Sequence, residues 1–478
     1  MNKLSNTKYF PRYLDDVVKQ KLTYAGAVEI RGPKWCGKTQ TALQVAASSL
    51  MMQNPDELEN NMTLASTKPS LLLQGKKPRL IDEWQDAPQL WDAVRFSVDQ
   101  ESNTGLYLLT GSATPVAKPK HSGAGRIVSV DMLPMSLSES KESTKEVSLG
   151  KLFSLAKPPV KTTAKHTAEH ATKPSTKTGD DSTTESSAKS QSKSSAEPSS
   201  NSTIEPSQKI DIEGHSDCDI EKIAHIICRG GWPRAVTSGF NRAGLNMASD
   251  YVNTIANEDI SRADGKQRNP QYARLIMGEY ARCTSTLTTQ SSILKDLKAR
   301  DIDLSKDTVN AYIGALRNLH VIQDLSAWTP SLHARSRITK TPTKHFACPS
   351  IAAACLGASP ELLLKDASTL GMLFESLCIR DLRVYANSLG GQVFHYHDST
   401  GMEADAVVVL PNGSYALFEV KLGGAYVEEG AANLKKLCNK INKTIMGEPA
   451  FCAVITPGGY AFTRDDGVLA IPISCMCA

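Results

Sequence analysis

The sequence predicts an α/β protein: a parallel-sheet domain at the N-terminus, a two-helix unit in the middle and a second α/β domain at the C-terminus. Three observations favour this architecture. Short apolar runs alternate with helical patterns over 1–156, an order typical of parallel sheets flanked by helices. Two closely spaced helical patterns follow within 266–345, as in a winged helix. Over 346–478 the chain then runs through helix, three strands, helix and strand.

Bulk composition limits the possible functions only loosely. The chain has 478 residues, 40% of them hydrophobic, so it can bury more than one core. Its formal net charge is only +4, so any nucleic-acid surface must be a local patch. The eleven cysteines show no paired framework and stand in apolar surroundings. We therefore expect reduced, buried thiols.

The same composition argues against a membrane protein. No stretch approaches the roughly 20 apolar residues that a membrane helix requires. Residues 1–10 contain no apolar core of signal-peptide length. We therefore expect a cytoplasmic protein with no membrane partner.

One segment interrupts the folded parts. Between Lys161 and Gln208, 21 of 48 residues are Ser or Thr, and Ile204 is the only large aliphatic residue. Such a composition cannot bury enough apolar surface to fold. Six lysines and six acidic residues cancel, so the pattern predicts a neutral, disordered linker over 157–210 and not a basic arm for DNA.

The elements before this linker can be placed one by one. Short apolar runs predict strands, and longer stretches with helical spacing predict helices. Turn residues or a glycine-rich loop end the strands. In chain order the predicted elements are Ala27–Ile30 (strand), Thr39–Met52 (helix), Leu80–Ile81 (strand), Trp91–Val98 (helix) and Leu106–Leu109 (strand).

The loop after the first strand carries the strongest motif in the chain. It matches G-x-x-x-x-G-K-[ST] between a strand and a helix, a pattern whose backbone N–H groups cradle phosphates. Lys38 would neutralise the β- and γ-phosphates, and Thr39 would place a hydroxyl on Mg²⁺. We expect ATP with Mg²⁺ here; the plainer alternative is a glycine-rich turn with an exposed lysine. The predicted binding residues are Gly32, Pro33, Lys34, Trp35, Cys36, Gly37, Lys38 and Thr39.

Polar residues at the ends of later strands complete this predicted site. Asp82 would hold Mg²⁺ through water, and Glu83 would orient the attacking water, unless the two are a solvated acid pair. Ser112, which ends the third strand, would sense the γ-phosphate. Arg126 follows a glycine-rich stretch and would act as an arginine finger in its own or a neighbouring subunit, or else is an ordinary surface arginine.

Two helical parts are predicted after the linker. Residues 211–265 are assigned as a lid-like part of the nucleotide-binding domain, in which Gly230–Pro233 predicts a helix stop with a buried tryptophan. Residues 266–345 predict a winged helix, a fold that contacts DNA through its second helix but also binds proteins. Its predicted elements are Ser292–Ala299 (helix), Lys306–Leu319 (helix) and Val321–Leu325 (strand). The side chains available to DNA on the second helix would be Thr308, Asn310, Tyr312, Arg317 and Asn318.

A charged hairpin stands out in 346–478. If Pro411–Gly413 forms a three-residue loop, Asp405 faces Glu419 and Glu403 faces Lys421. Two facing carboxylates repel unless a positive charge, such as a divalent metal, lies between them.

Asp405, Glu419 and Lys421 also make the D…E-x-K pattern of restriction-endonuclease-like nucleases. In those enzymes carboxylates hold Mg²⁺ and the lysine assists an activated water. Glu375 would add a metal ligand from the preceding helix. The alternative is an ordinary Glu403–Lys421 ion pair, with Asp405 as a surface acid, in a domain kept only for binding.

Taken together, these motifs resemble an AAA-like family of bacterial and archaeal P-loop ATPases. In that family the ATPase core precedes a C-terminal region of poorly defined function, with a winged helix and a restriction-endonuclease-like domain, which implies DNA as a partner. The likeness is strongest at Lys38, Thr39, Asp82 and Glu83, whereas Cys348 stands where family members favour aspartate. The segments that carry it are Gly32–Thr39, Leu80–Gln85, Leu109–Ser112, Gly123–Arg126, Met132–Ser138 and Gly230–Pro233.

The sequence therefore predicts a Mg²⁺-dependent ATPase that couples hydrolysis to a DNA-engaging C-terminal region. Two alternatives stay open. The protein is an ATP-gated, metal-dependent nuclease, or it is a nucleotide-switched module that binds a protein partner through the winged helix without catalysis. If Arg126 acts between subunits, the protein is a homo-oligomer.

Overall fold

The computed structural model describes residues 9–117, 119–156, 210–329, 341–441 and 443–478. The linker predicted over 157–210 lies outside the described residues except for Ile210. Among the helices that are described, none combines the length and apolar character needed to cross a membrane.

The N-terminal sheet comprises β1 (Ala27–Arg31), β2 (Ser48–Met51), β3 (Arg79–Asp82), β4 (Tyr107–Gly111) and β5 (Ile127–Asp131). Its order is β2-β3-β4-β1-β5, and every neighbouring pair is parallel. The predicted parallel sheet is thus confirmed. Because β4 lies between β1 and β3, the loop after β1 and the acidic end of β3 flank the end of β4. The accompanying helices are α1 (Tyr13–Leu22), α2 (Lys38–Leu43), α3 (Leu58–Thr67), α4 (Gln89–Glu101) and α5 (Leu149–Leu155).

One predicted helix in this domain is wrong in its second half. The helix expected over Thr39–Met52 ends at Leu43, and the chain then forms β2. There Ser48 pairs with Arg79, and Leu50 becomes buried beside Ile81. Pairing with a distant strand overrides the local helical pattern, because propensity is weaker than tertiary burial.

The middle of the chain is helical. α6 begins at an Asp219 side-chain cap and ends at Gly230, whose φ of 76° stops the helix as predicted. Between α8 and α9 lies a π-helical turn, Ile255–Asp259. The helices are α6 (Ile220–Arg229), α7 (Pro233–Ser238), α8 (Arg242–Thr254), α9 (Ile260–Arg262), α10 (Pro270–Arg282), α11 (Gln290–Lys298) and α12 (Lys306–Asn318).

Both helices predicted for the winged helix are present as α11 and α12. The strand expected over Val321–Leu325 is reduced to single bridges, from Ile322 to Phe346 and from Leu325 to Thr343. The helical pair is confirmed, whereas the winged-helix assignment stays a prediction.

The C-terminal part adds α13 (Pro349–Cys355), α14 (Pro360–Lys365), α15 (Ala367–Ser388), α16 (Val427–Lys440) and α17 (Lys443–Met446). Its larger sheet has the order β7-β12-β13-β11-β10-β9-β8, and the predicted run of helix, three strands, helix and strand is confirmed. A two-stranded sheet joins β6 to β14. The strands are β6 (Val147–Ser148), β7 (Gly214–Ser216), β8 (Gln392–His397), β9 (Glu403–Val409), β10 (Tyr415–Val420), β11 (Cys452–Thr456), β12 (Gly459–Thr463), β13 (Leu469–Pro472) and β14 (Met476–Cys477).

The N-terminal and C-terminal parts share a buried interface. One apolar cluster extends from α1 and β1 through α6 to α15 and β10. The rings of Tyr13 and Tyr385 meet edge to face, with centroids 5.9 Å apart. Asp381 of α15, fully buried, accepts a hydrogen bond of 2.9 Å from the backbone N–H of Leu137. The long helix of the C-terminal part is therefore anchored on the N-terminal part.

Candidate functional site

The loop between β1 and α2 is held open by backbone geometry that favours glycine. Gly32 has a φ of 156°, and a Cβ at this position would lie 2.2 Å from the carbonyl oxygen of Met132. Gly37, with a φ of 110°, is the N-cap of α2. A guanidinium nitrogen of Arg12 donates a 2.8 Å hydrogen bond to the carbonyl of Cys36. Arg12 thus fixes the loop through its backbone, and the first residues of α2 line a cavity next to the loop.

Lys38 occupies the position predicted for a phosphate-binding cation. Its ammonium group, 5% exposed as a residue, donates hydrogen bonds of 2.9 Å to the carbonyls of Gly32 and Pro33. These neutral acceptors are weak partners for a buried charge, and phosphate oxygens would be stronger ones. The geometry therefore suits a lysine that turns to a triphosphate when one binds.

The structure brings the predicted magnesium residues together. Asp82 at the end of β3 accepts hydrogen bonds through Oδ1 from the hydroxyls of Thr39, at 2.7 Å, and Thr110, at 2.5 Å. Burial raises the pKa of Asp82, although the two hydroxyl groups oppose that shift. A hydroxyl and a carboxylate beside a phosphate loop are oxygen ligands of the kind that Mg²⁺ prefers. The residues present therefore fit a magnesium ion.

Glu83 follows directly and is held in an unusual backbone conformation, with a φ of 56°. Its Oε2 accepts hydrogen bonds from the Ser112 hydroxyl, at 2.9 Å, and from the Gln85 amide. Its Oε1 has no hydrogen-bond partner among the described residues. Glu83 lines the same cavity as Lys38 and Thr39. The predicted γ-phosphate sensor Ser112 thus positions the predicted base in this structure.

The remaining predicted loop residues have other partners. Lys34 forms an ion pair of 2.6 Å with Asp259, which is buried in the π-helical turn. The exposed Trp35 packs against the Tyr251 ring, with centroids 5.7 Å apart. Cys36 is fully buried. Lys34 and Trp35 thus join the loop to the helical part while lining the cavity, whereas Cys36 packs in the interior.

Arg126 does not reach this site within one chain. It lies just before β5, and its carbonyl accepts a hydrogen bond from Ala27 at the start of β1. The phosphate loop follows the other end of β1, so the length of the strand separates the two. Arg126 instead pairs with Asp99 at 2.6 Å. A role in its own subunit is therefore wrong, and a role in a neighbouring subunit stays a prediction.

The helical part assigned as a lid closes the cavity over the loop. A cavity of about 930 Å³ lies between the two, with Lys38, Thr39 and Glu83 on the sheet side. An adjoining cavity of about 590 Å³ is lined by Tyr9 and Phe10. The lid side of the main cavity consists of Trp232, Pro233, Arg234, Ala243, Asn246, Met247 and Asp250.

Sequence reasoning missed Arg234. This exposed side chain lines both cavities and makes no hydrogen bond or ion pair with another described residue. It directly follows Gly230–Pro233, which the sequence predicts to be a helix stop with a buried tryptophan. The available signal was a cation placed at the start of a helix immediately after that stop.

The predicted C-terminal hairpin has the predicted register. Pairs from Tyr415–Val409 to Phe418–Ala406 continue to Asp405 opposite Glu419, and the backbone N–H of Val420 donates a 2.6 Å hydrogen bond to Asp405. Glu419 is 1% exposed, and its Oε1 lies 3.0 Å from the Lys421 ammonium.

The acids in this hairpin are electrostatically strained. Burial and the neighbouring Glu419 raise the pKa of Asp405 to about 8. Burial also raises the pKa of Glu419, and that of Glu375 on α15 is raised by burial and by Asp405. Oε2 of Glu419 is buried and has no hydrogen-bond partner among the described residues.

These acids do not form a preassembled metal centre. Within the described part of the chain, no three His, Cys, Asp or Glu side chains are arranged to hold an ion. The predicted ligands Glu375, Asp405 and Glu419 therefore lie in one charged cluster without ligand geometry. The alternative Glu403–Lys421 ion pair is not what forms, since Lys421 pairs with Glu419. The unpartnered carboxylate oxygen is the feature that would suit a cation.

The second helix of the predicted winged helix is largely committed to internal contacts. Tyr312 is buried and accepts a hydrogen bond from the N–H of Asn269. Arg317 pairs with Asp324 at 2.7 Å, and the carbonyl of Asn318 accepts from the N–H of Thr114, just after β4. Of the side chains predicted to meet DNA on this helix, Tyr312 is thus buried and Arg317 is exposed but paired. The others, Thr308, Asn310 and Asn318, are partly exposed.

The parallel sheet and the glycine-rich loop give the N-terminal part the architecture of a P-loop nucleotide-binding domain. Residues 25–141 match the family described as AAA domain. Residues 220–362 match a domain of unknown function, DUF8612, and residues 370–476 match another, DUF4143.

The chain is also similar to individual proteins. Two curated relatives are the uncharacterized proteins Mb2031c of Mycobacterium bovis and Rv2008c of Mycobacterium tuberculosis, each 21% identical over 245 residues. The match covers 51% of this chain and 51% of each relative, so the chain spans about half the length of the curated relatives it matches. Among solved structures, the Walker-type ATPase PABY2304 of Pyrococcus abyssi matches with a TM-score of 0.40 and 12% identity, over 74% of this chain and 98% of that chain.

Proposed function

We propose that the protein is a Mg²⁺-dependent ATPase whose hydrolysis controls a DNA-engaging C-terminal region. One observation carries the ATPase part. Thr39 and Glu83 line the cavity beside Lys38, Asp82 accepts a hydrogen bond from Thr39, and Ser112 holds Glu83. If the loop were only a glycine-rich turn, there would be no reason for the neighbouring strand to hold an acidic side chain beside it.

The residues divide the chemistry among them. Lys38 and the N–H groups at the start of α2 bind the β- and γ-phosphates. Thr39 and Asp82 would hold Mg²⁺, which compensates phosphate charge when bound. Glu83, fixed through Oε2, orients water with the oxygen that has no protein partner. Tyr9 and Phe10 offer aromatic surface in the adjoining cavity, which suits a purine base.

A buried chain of contacts supports coupling to the C-terminal part. Arg12 holds the loop at Cys36 and lies 3.1 Å from Glu139. Glu139 accepts a hydrogen bond from Ser136, whose neighbour Leu137 donates to Asp381 of α15. A change in the phosphate loop would thus reach the helix that carries Glu375.

A first experiment tests the ATPase. We expect Lys38→Ala to abolish ATP binding, whereas Glu83→Gln binds ATP but loses turnover by about 100-fold or more, as when other catalytic acids are removed. ATP binding and phosphate release would be measured for both. Glu101→Gln, an exposed acid at the end of α4, is the matched control. Normal hydrolysis by either site variant would refute the proposal, and tight binding without turnover by the wild type would favour a nucleotide-switched binding module.

A second experiment tests the DNA partner. We expect single- or double-stranded DNA to raise the ATPase rate of the full chain. Because Tyr312 of α12 is buried and Arg317 is paired with Asp324, the stimulation should survive Lys306→Ala at the exposed start of that helix. An unchanged rate with every DNA form would argue against DNA coupling while leaving the ATPase proposal intact.

The unpartnered oxygen of Glu419 favours one further candidate, a metal-dependent nuclease gated by ATP. Here Asp405 and Glu419 would hold the cation and Lys421 would assist the attacking water. DNA and RNA would be incubated with Mg²⁺ or Mn²⁺, with and without ATP. Cleavage that is lost in Asp405→Ala would support this activity, and no cleavage of any substrate would count against it.

A further inference from the structure

Two of the eleven cysteines stand apart from the others. The sulfur atoms of Cys438, on α16, and Cys452, at the start of β11, lie 3.0 Å apart. Both side chains are half-buried, so small reagents can approach them. Across the described residues, which include every cysteine of the chain, no second pair of sulfur atoms is in contact. Proximity and access thus coincide at one place.

The electrostatic surroundings make the two thiols unequal. The hydrogen bond from Cys452 lowers the pKa of the Cys438 thiol, and Lys443 and Lys435 act in the same direction. Burial and the Cys438 contact raise the pKa of the Cys452 thiol. Glu448, which pairs with Lys443 at 2.8 Å, opposes the lysines only in part. Cys438 is therefore the more reactive nucleophile of the two, because the thiolate is the reactive form of cysteine.

We propose that Cys438 and Cys452 form a reversible dithiol–disulfide site that is oxidised by small soluble disulfides. The Cys438 thiolate attacks one sulfur of oxidised glutathione, whose S–S bond breaks and releases one glutathione thiolate. The Cys452 thiolate then attacks the sulfur of Cys438 and displaces the second glutathione. Two electrons pass to the soluble disulfide, and the two protons of the protein thiols end on two glutathione molecules.

The disulfide would link α16 covalently to β11, next to the charged hairpin. α16 already covers that hairpin, since a Cβ on Gly430 would lie 3.2 Å from Cγ of Glu419. Glu429 of the same helix lies 3.9 Å from the Lys421 ammonium. The oxidised site would therefore fix the helix that overlies Glu419, whether or not that residue serves a nuclease.

Peptide mapping of the full-length protein provides a direct test. The folded chain would be incubated with oxidised glutathione, its remaining free thiols blocked and the products digested with trypsin. Cleavage after Lys436, Lys440, Lys443 and Arg464 places the two cysteines in separate peptides, 437–440 and 444–464. We expect these peptides to be joined by a disulfide that dithiothreitol removes. The number of free thiols should fall by two from eleven.

Single substitutions separate the two roles. Cys452→Ser should retain glutathione on Cys438, because no second thiol displaces it, and Cys438→Ser should leave Cys452 largely unmodified. Cys355→Ser, at another half-buried thiol that has no sulfur neighbour, should cross-link like the wild type. Unlinked peptides in the oxidised wild type would overturn the proposal, a result that does not depend on how any variant folds. Equal glutathione labelling of Cys438, Cys452 and Cys355 would also overturn it.

Discussion

Arg234 lies at the mouth of the nucleotide cavity with no partner among the described residues, so its charge is available to a phosphate. We expect Arg234→Ala to raise the KM for ATP about tenfold, roughly the value of one charge-assisted contact. The fold should stay stable because the side chain is exposed. Steady-state kinetics would measure this, with Arg242→Ala as control, an exposed arginine on α8 outside both cavities. An unchanged KM would contradict a nucleotide contact.

Asp405 predicts a pH dependence of stability. Its pKa is raised to about 8 from 3.8, so the folded state binds this proton more tightly than the unfolded state. The resulting stabilisation is complete at pH values below 3.8 and is lost as the pH rises towards 8. We expect Asp405→Asn to flatten the fall in thermal stability over this window and to stabilise the protein near pH 8 by on the order of 1 kcal/mol.

Thermal unfolding at several pH values would measure the effect. Asp465→Asn, at an exposed aspartate of the same domain, should follow the wild-type profile. If Asp405→Asn also follows it, the Asp405 carboxyl is not the cause. If the site binds a cation, Mn²⁺ should stabilise the wild type and not the Asp405 variant, because the cation offsets the repulsion between carboxylates.

At the residue scale, the sequence could predict what a short motif or a turn fixes. Lys38, Thr39 and Asp82 meet as expected because the motif specifies both their types and their strand context. Arg126 lies at the far end of β1 from the phosphate loop, and a glycine-rich neighbour does not indicate which end of the sheet a residue occupies. Glu83 follows Asp82 at the end of β3 as the motif indicates, but its support by Ser112 depends on the order of β3 and β4, which no local pattern encodes.

At the scale of elements, the stop between α6 and α7 is a close junction with the N-terminal part. A Cβ on Gly231 would lie 2.1 Å from the carbonyl oxygen of Met135. The backbone N–H of Met135 also donates a hydrogen bond of 2.7 Å to the carbonyl of Gly231. We expect Gly231→Ala to destabilise the protein by at least about 2 kcal/mol, because buried backbone must move apart. Gly314→Ala, in α12 with open space around it, should be neutral or slightly stabilising. Chemical denaturation would compare the two, and equal midpoints would contradict a tight junction.

Elements were predictable from sequence where their partners are near in the chain. The three-residue loop set the β9–β10 register, since loop length determines which residues face each other. β2 was missed because its partner β3 begins about 30 residues later and overrides a helical pattern. β7 was also missed because its partner is distant in sequence: Gly214–Ser216 pairs with β12, near the end of the chain.

At the scale of the whole molecule, the sequence indicated separate folded parts but not how they are joined. Composition marks the linker because low apolar content is visible locally. Local composition does not reveal the interface between the N-terminal and C-terminal parts. Glu139 and Asp381 are acids of the kind that usually lie on the surface, yet both are buried. Their partners come from distant segments: Arg12 for Glu139, and the Leu137 N–H for Asp381. The same buried contacts connect the phosphate loop to α15.

That link leads to a prediction for the whole chain. In the Glu83→Gln background, which should retain ATP, nucleotide binding should slow amide hydrogen exchange in α15 as well as around the phosphate loop. Asp381→Asn keeps an acceptor for the Leu137 N–H but removes the charge paired with Arg380 at 2.6 Å. We expect this change to abolish the ATP-dependent protection of α15 while ATP still binds, because the loop lies at the other end of the network.

The control uses the same helix. Asp366 caps the N-terminus of α15 through the Thr369 N–H, in an exposed position away from the interface, and asparagine caps equally well. Asp366→Asn should therefore preserve the nucleotide response. Loss of charge at Asp381 is also expected to cost stability, since Arg380 stays buried, by up to about 3–5 kcal/mol. Exchange must thus be compared with and without ATP within each variant. If α15 responds equally to ATP in both variants, the buried contacts hold the two parts together without transmitting the state of the nucleotide site.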